Sequence, residues 1–251
     1  MAPHVKICTP YYSDYSDAYK LSLLELSKVR TPWTWEHQAC QGVNPALARN
    51  MLTNQGKSTC IHQELDKSIS HFLYVDADVS FYADNVTWLL DRHVDIISGA
   101  YRARSAQQCY QAGMWEGVPG NIGQYVSTVS RGVVEVDWVG AGFLLVRREV
   151  LERMEYPWFR YEFVRVVMPS KVLPDTVEYH CVQVEEDIGF CLNAKAHGYR
   201  ILLDCEVHAQ HDLDGDRCRE IHGKPPQMMT PIATHFAVPT RPVGCPTGAQ
   251  G

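Results

Sequence analysis

The chain has 251 residues, 45% of them hydrophobic and 21% charged, and its formal net charge at pH 7 is −6. This is ordinary globular composition, and the length suits one large α/β domain or two small ones. The negative charge gives no overall attraction to a phosphate backbone, which disfavours a dedicated nucleic-acid binder. No apolar run approaches the roughly 20 residues that span a bilayer, and the first residues lack the apolar core of a signal peptide. We therefore expect a soluble, cytoplasmic protein.

Strand-forming apolar runs and helical spacing of apolar residues alternate along the chain, as in an α/β fold. The predicted strands cover residues 5–9, 33–39, 72–75, 94–98, 133–137, 143–146 and 199–203. The predicted helices begin at Asp14 or Ser16, at Asn44-Pro45, at Asp84 or Asn85, at Arg147 and at Glu185. Pro10 is expected to end the first strand, and Gly198 to stop the last helix. The segment 107–128 is glycine-rich and weakly patterned.

The cysteines and prolines indicate how the chain is organised. Nine cysteines, none of them in a C-x-x-C pair, argue against a disulfide framework. Six prolines lie between residues 225 and 246, a composition typical of an irregular tail. We predict one folded domain over residues 1–222 and a Pro-rich tail over residues 223–251.

The segment from His71 to Ser80, HFLYVDADVS, joins a short apolar run to two carboxylates. The run predicts a buried strand of a parallel sheet, and Asp76 and Asp78 follow it directly. Open α/β sheets bind ligands at the carboxyl ends of their strands. Two carboxylates one residue apart at such an end suit Mg²⁺ or Mn²⁺ bridging the protein to a diphosphate. The alternative is a strand followed by an Asp-capped turn, because D-x-D is a common pattern.

Later predicted elements also end in polar residues or glycines. Gly140 and Gly142 indicate either a bend or a close approach to the backbone. Asp187 lies in the first turn of the last helix, where it complements the helix dipole or points its carboxylate into a cleft. His208 and His211 follow the last strand, and either imidazole suits a metal.

Taken together, these pieces resemble the GT-A glycosyltransferases, nucleotide-sugar-dependent enzymes with family-2-like motifs, and most of all their short, soluble members from bacteriophages. The matches follow the family's order and cover about residues 5–211. The matching segments are Cys8-Thr-Pro10, Ala48-Arg-Asn50, Phe72-Leu-Tyr-Val-Asp-Ala-Asp78, Gly99-Ala-Tyr-Arg102, Asp137-Trp-Val-Gly-Ala-Gly-Phe143, Pro157-Trp-Phe159, Glu186-Asp-Ile-Gly-Phe-Cys191 and Gly198-Tyr-Arg-Ile201. The resemblance implies a GT-A (Rossmann-like) α/β fold, a three-layer sandwich with a mostly parallel central sheet and a DxD motif.

The resemblance implies a donor site for a nucleotide-sugar, with UDP-glucose as the default donor. In this family the loop after the first strand holds the base and ribose, and a glycine-containing loop lines the sugar and acceptor side. The residues implied at the donor are Thr9, Pro10, Tyr11, Arg49, Asp76, Gly140, Ala141 and Gly142. The Pro-rich tail is expected to close over this donor site as a lid.

The resemblance also implies a metal ion and a catalytic base. Asp78 would bind Mn²⁺ or Mg²⁺ directly, with Asp76 in the metal shell or on the ribose and His211 as a late metal ligand. Asp187 matches the acid that acts as the base in inverting members, with Glu186 as its supporting neighbour. The implied activity is a metal-dependent, inverting transfer of a sugar to an acceptor hydroxyl.

The acceptor remains open at this point. Some phage glycosyltransferases modify hydroxymethylated bases, so a 5-hydroxymethylated base in duplex DNA is a candidate acceptor that would need groove access or flipping. The scattered basic residues that would line such a groove are Arg160, Arg165, Lys171, Arg217, Arg219 and Lys224. The alternative is the same chemistry on a glycan, lipid or protein.

A non-catalytic metal-binding module is the alternative of a different class. Cys205, His208, His211 and Cys218 suffice in number to ligate zinc, although their spacing matches no common zinc finger. The sequence indicates no particular oligomeric state.

Overall fold

The structure is a computed structural model that describes residues 2–54, 64–103, 108–169 and 177–212. Its strands are β1 (His4–Tyr11), β2 (Thr34–Gln41), β3 (His71–Val75), β4 (Val79–Ser80), β5 (Ile96–Ala100), β6 (Cys109–Trp115), β7 (Ile122–Ser127), β8 (Val133–Val136), β9 (Trp138–Val139), β10 (Phe143–Arg147), β11 (Glu162–Pro169), β12 (Val177–Val184), β13 (Ile201–His208) and β14 (Gln210–His211). Its helices are α1 (Asp17–Lys28), α2 (Pro45–Thr53), α3 (Ala83–Asp91), α4 (Arg148–Arg153) and α5 (Glu186–Ala196). The predicted tail, its role as a lid and the boundary at residue 222 lie outside the described residues.

Seven of these strands form one mixed sheet in the order β2-β1-β3-β10-β5-β13-β8. β1 is parallel to β2 and β3, and β5 is parallel to β13, whereas β10 is antiparallel to both β3 and β5 and β8 is antiparallel to β13. Five strands therefore point in one direction, and β10 and β8 point the other way. The carboxyl ends of the five co-directional strands and the amino end of β10 lie together, and we call this side of the sheet the carboxyl edge.

Helices cover both faces of the sheet and give it three layers. Leu73 of β3 packs in the cluster that contains Leu26 of α1 and Leu89 of α3. Its neighbour Tyr74 points to the opposite face and packs in the cluster that contains Leu52 of α2. Each of these side chains is almost fully buried, and burial of a side chain of this size contributes roughly 1.5–3 kcal/mol. In the part of the chain that the structure describes, no helix is long and apolar enough to cross a membrane.

Two helices begin at predicted caps. The Ser16 hydroxyl accepts a hydrogen bond from the Tyr19 N–H at 3.1 Å, and the Asn44 side chain accepts one from the Leu47 N–H at 3.0 Å. Such caps satisfy N–H groups that have no partner inside the helix. The cap at Asn44 starts α2 just beyond the carboxyl edge, and this places Arg49 one turn into the helix.

Pro10 does not end the first strand, contrary to the prediction. Cys8 is the last residue of β1 that pairs with β3, and from there to Tyr11 the strand pairs only with β2. Proline has no N–H to give to a ladder, and it is tolerated where a strand has a neighbour on one side only. β1 therefore reaches two residues further towards the carboxyl edge than predicted.

Two antiparallel hairpins are not predicted from the sequence. β6 and β7 lie within the weakly patterned segment 107–128, and two register shifts between them break the simple alternation of side chains. β11 and β12 form a regular ladder from Glu162↔Val184 to Pro169↔Val177 in a stretch for which no element is predicted. This second hairpin leads directly into α5.

Candidate functional site at the carboxyl edge

Acidic side chains from separate segments come together at the carboxyl edge. Asp76 and Asp78 follow β3, and Glu186 and Asp187 form the first turn of α5. Arg49 of α2 lies between the two groups and contacts a member of each. The structure therefore brings these two groups of acids to the same edge of the sheet.

A buried guanidinium joins two of these carboxylates. Arg49 is 3% exposed, its Nη2 donates to Asp76 Oδ1 at 2.6 Å, and its Nη1 donates to Glu186 Oε1. The guanidinium also lies 5.7 Å from the centroid of the Phe159 ring, within the range of a cation–π contact. Burial alone would lower the pKa of Arg49, but the negative charges of Asp76, Glu186 and Asp187 outweigh it and raise that pKa. Arg49 was predicted at the nucleotide, yet both of its terminal nitrogens bind carboxylates of the protein.

The carboxyl group of Asp187 has a raised pKa. Its Oδ1 accepts a hydrogen bond from the Ile188 N–H at 2.7 Å. Burial and the negative charge of Glu186 raise the pKa of Asp187 to about 7, against the opposing effect of Arg49. A carboxyl group with such a pKa can accept a proton from another molecule near neutral pH.

Asp78 faces a histidine from the other end of the chain. His211 Nε2 lies 3.3 Å from Asp78 Oδ2, and His211 Nδ1 lies 3.2 Å from the carbonyl oxygen of Arg102. The carbonyl oxygen only accepts, so Nδ1 is the donor in that contact and Nε2 faces the carboxylate. Nε2 donates to Asp78 when the ring is protonated, and its lone pair can bind a metal ion when the ring is neutral. His208, the other predicted candidate, instead lies beside Tyr110, with 6.0 Å between ring centroids.

The Asp78–His211 pair fits a divalent metal ion. Two ligands at right angles, each roughly 2.1 Å from an ion, are about 3 Å apart, close to the observed separation. Within the described ranges, no group of three or more His, Cys, Asp and Glu side chains is placed to hold a metal. Two protein ligands suit an ion that completes its shell with phosphate oxygens and water. The predicted third ligand, Asp76, is the carboxylate held by Arg49.

The zinc alternative receives no geometric support. Cys205 is fully buried in the core, and burial is the main cause that raises the pKa of its thiol to about 12. A thiol in this state is a poor source of the thiolate that zinc requires. Cys218 lies outside the described residues.

Tyr101 occupies the space beside the glycines before β10. The Gly142 N–H donates to Tyr101 Oη at 2.9 Å. A Cβ atom on Gly140 would overlap the same oxygen, and one on Gly142 would lie 2.9 Å from it and 3.0 Å from Asp76 Oδ2. Gly140, Ala141 and Gly142, which were predicted on the sugar side, are all buried. The two glycines thus make room for Tyr101, and Gly142 also brings the backbone close to Asp76.

The residues predicted around the base and ribose separate into two groups. Thr9 is fully buried, and its hydroxyl shares hydrogen bonds with the Tyr19 hydroxyl and with His37 Nε2, at 3.2 Å from the latter. Its polar group is therefore directed into the layer between β1 and α1. Pro10 and Tyr11 are the last two residues of β1, and Tyr11 is half-buried at the carboxyl edge.

Two side chains at the site have no role in the sequence prediction. Tyr101 directly follows β5, so its position after a predicted strand was a usable signal. Phe159 belongs to a motif of the resemblance, but only its long-range contact with Arg49 shows its role. No local pattern indicates that contact.

Comparisons with known proteins give a fold relationship. No protein-family model and no curated protein matches the chain. A solved structure, A197 from STIV, matches at a TM-score of 0.51 and 16% identity, covering 85% of this chain and 87% of that chain. A glycosyltransferase involved in the glycosylation of the major capsid of PBCV-1 matches at a TM-score of 0.32 and 15% identity, over 62% of this chain and 69% of that chain. The first match shows a shared fold, and the second is too distant to add to it.

Removing the buried cation should destabilise the domain. We expect Arg49→Met to lower the free energy of unfolding by roughly 3–5 kcal/mol, because it leaves the carboxylates of Asp76 and Glu186 unpaired. Urea unfolding at pH 7.5 measures the change. Adding Asp76→Asn and Glu186→Gln to Arg49→Met should restore part of the loss, because the unpaired charges are then gone.

The matched control is Lys20→Met, since Lys20 pairs with Asp14 and Asp17 at an exposed site. Its effect should be much smaller than that of Arg49→Met, because water and salt screen exposed ion pairs. An equally small effect of Arg49→Met would show that the buried ion pairs do not hold the site together.

The packing of Tyr101 predicts a specific pair of substitutions. Gly140→Ala should lower the free energy of unfolding by roughly 1–3 kcal/mol, as expected for overpacking, because the added methyl overlaps the Tyr101 hydroxyl. The double variant Gly140→Ala/Tyr101→Phe should lose less stability than the sum of the losses caused by the two single substitutions. The reason is that the oxygen that the new methyl group would overlap is absent. Thermal unfolding of the four proteins in this cycle measures the coupling, and strictly additive effects would contradict the contact.

Proposed function

We propose that the protein transfers a sugar from a nucleotide-sugar, by default UDP-glucose, to an acceptor hydroxyl. The observation that carries the proposal is the presence at one sheet edge of a carboxylate–imidazole pair, Asp78 with His211, and of an acid with a near-neutral pKa, Asp187. Glycosyl transfer needs both functions, because negative charge grows on the departing diphosphate while the acceptor hydroxyl loses a proton. The resemblance to GT-A glycosyltransferases assigns these same residues to these roles.

Asp187 is the proposed catalytic base. A carboxylate with a raised pKa is a stronger base than an ordinary aspartate, and catalysis by a base is most effective when its pKa is near the working pH. Glu186, held by Arg49, supports this state through its negative charge. As the acceptor oxygen bonds to the anomeric carbon, its proton passes to Asp187 and the bond from that carbon to the diphosphate breaks. Attack opposite the leaving group inverts the anomeric centre, as predicted from the resemblance.

Asp78 and His211 are the proposed ligands of Mn²⁺ or Mg²⁺. Such an ion supplies positive charge that stabilises the departing diphosphate. Asp76 is better suited to a ribose hydroxyl than to the metal, because Arg49 holds one of its carboxylate oxygens. The carboxylate can still accept a hydrogen bond from a hydroxyl through its remaining lone pairs.

Among acceptors, the described surface favours a hydroxyl on an uncharged molecule over one on DNA. Arg160, predicted in a DNA groove, is paired with Glu155 and Glu162. Arg165 stacks on Tyr179. The remaining basic residues of that prediction lie outside the described ranges. A 5-hydroxymethylated base in phage DNA stays a prediction, and the following screen tests it.

A donor screen tests the proposed function. The protein is mixed with UDP-, GDP-, dTDP- and CMP-sugars and Mn²⁺, with and without DNA that contains 5-hydroxymethylcytosine, and released nucleotide and DNA mass are measured. Metal-dependent release of nucleotide that is lost in Asp78→Ala supports the transferase. A sugar-sized mass gain on the DNA identifies the base as acceptor, whereas unmodified DNA moves the acceptor to a glycan, lipid or protein.

The metal site is tested without turnover by titrating Mn²⁺ and measuring its binding by electron paramagnetic resonance. Binding in the presence of UDP should weaken at least about tenfold in His211→Ala, while His208→Ala serves as the matched control and should bind normally. The absence of both turnover and nucleotide binding under all these conditions would overturn the proposed function.

The raised pKa of Asp187 predicts that removing its charge by the substitution Asp187→Asn lowers activity but raises stability. An aspartate has a pKa near 3.9 in an unfolded chain, so between about pH 4 and pH 7 the folded protein holds a proton that the unfolded chain has lost. The contribution of Asp187 to stability therefore falls as pH rises through this window and stays low above it. Asp187→Asn should raise Tm by roughly 4 °C at pH 8, leave it unchanged at pH 3.5, and lower kcat about 10²–10⁴-fold.

Glu185→Gln is the matched control, because Glu185 is an exposed acid at the same helix start. This variant should change neither Tm nor kcat appreciably. Equal Tm values for Asp187→Asn and the wild type at pH 8 would mean that Asp187 ionises as an ordinary aspartate.

A further inference from the structure

One face of the β11–β12 hairpin carries large, exposed side chains. In its register Phe163 lies opposite Gln183 and Arg165 opposite Cys181, with Tyr179 next along the same side. Phe163 is 69% exposed and Tyr179 60%, and the Arg165 guanidinium lies 4.0 Å from the centroid of the Tyr179 ring. We call these five side chains the hairpin face. Two large aromatic rings exposed on the same side of a hairpin indicate that this side binds another molecule.

The hairpin is fixed to the proposed active site. Its opposite side contacts the domain through Val166 and Val184, which are 4% and 7% exposed. β12 ends at Val184, two residues before Glu186. Three residues before β11, Phe159 stacks on Phe190 of α5 with 4.7 Å between ring centroids. The hairpin face therefore begins beside the acids of α5 and extends away from them.

Charge and size together select the kind of molecule that this face suits. Arg165 is the one charged residue among its five, and a polyanion such as DNA needs several cations along its backbone. Two strands about 5 Å apart and some 20 Å long present an area on the order of 200 Å². A stable protein interface needs about 800 Å² from each partner. The face therefore suits a narrow, uncharged chain.

We infer that the hairpin face binds a neutral oligosaccharide acceptor. This inference rests on the proposed function, because it assigns the acceptor of that reaction. A sugar ring presents C–H groups on its faces and hydroxyls around its rim. The Phe163 ring and the side of the Tyr179 ring that Arg165 does not cover match the faces, and Arg165 and Gln183 match the hydroxyls. From Tyr179 to Gln183 the strand rises about 14 Å. The acceptor chain lies along this length, with its reactive end towards Asp187.

Binding is tested on the full chain without any donor. The protein is applied to an array of neutral gluco-, galacto-, manno- and N-acetylglucosamine oligosaccharides, and the affinity for the best ligand is measured by calorimetry. The double variant Phe163→Thr/Tyr179→Thr keeps strand-forming residues and should bind at least about tenfold more weakly. Val182→Thr is the matched control, because Val182 lies on the opposite side of the same hairpin and is 42% exposed. It should bind like the wild type.

A second measurement does not depend on how the variants fold. In the wild type, the ring protons of Phe163 and Tyr179 should shift in NMR spectra when the oligosaccharide is added. The inference is overturned if no oligosaccharide on the array binds, if the double variant binds as well as the wild type, or if these protons do not shift. It is also overturned if the two rings bind a dT20 oligonucleotide instead. Failure of the proposed function is distinct, since it appears as absent donor turnover while oligosaccharide binding is still measured.

Discussion

Moving a guanidinium and a carboxylate out of water costs several kcal/mol for each ion, and only close, well-oriented contacts offset that cost. Arg49 meets this condition through Asp76 on one side and Glu186 on the other, and the ring of Phe159 lies against its guanidinium. The loop after β3 and the first turn of α5 are thereby held together by charge. The candidate site depends on this contact, because its two halves come from segments more than a hundred residues apart.

The acids of the site differ in their partners. Asp76 and Glu186 are both bound by the guanidinium of Arg49. Burial and the negative charge of Glu186 raise the pKa of Asp187, and Asp78 faces His211. An acid whose pKa is shifted by burial and by a neighbouring charge is often found at a catalytic site.

The strand that leads into Asp76 and the helix that carries Arg49 were predictable because they follow from local patterns. The apolar run before Asp76 and the cap at Asn44 each define an element without reference to distant residues. The bonding of Arg49 was not predictable, since it depends on where α5 meets α2. The β11–β12 hairpin was missed because both strands are largely exposed and lack the apolar run of a buried strand. The prediction for Pro10 was wrong because a proline ends a strand only where its missing N–H is needed by a neighbouring strand, and β1 is no longer paired with β3 at that point.

The position of β10 in the sheet determines the order in which the strands can pair while the chain is being synthesised. This strand lies between β3 and β5 and runs against both, so β1, β2 and β3 stay separate from the rest of the sheet until residue 147 has been made. The carboxylate partner of Arg49 on α5 emerges about forty residues later still, a delay of roughly 2–8 s at ordinary translation rates. Until then Arg49 lacks one of its two carboxylate partners, so the candidate site is among the last parts of the molecule to be completed.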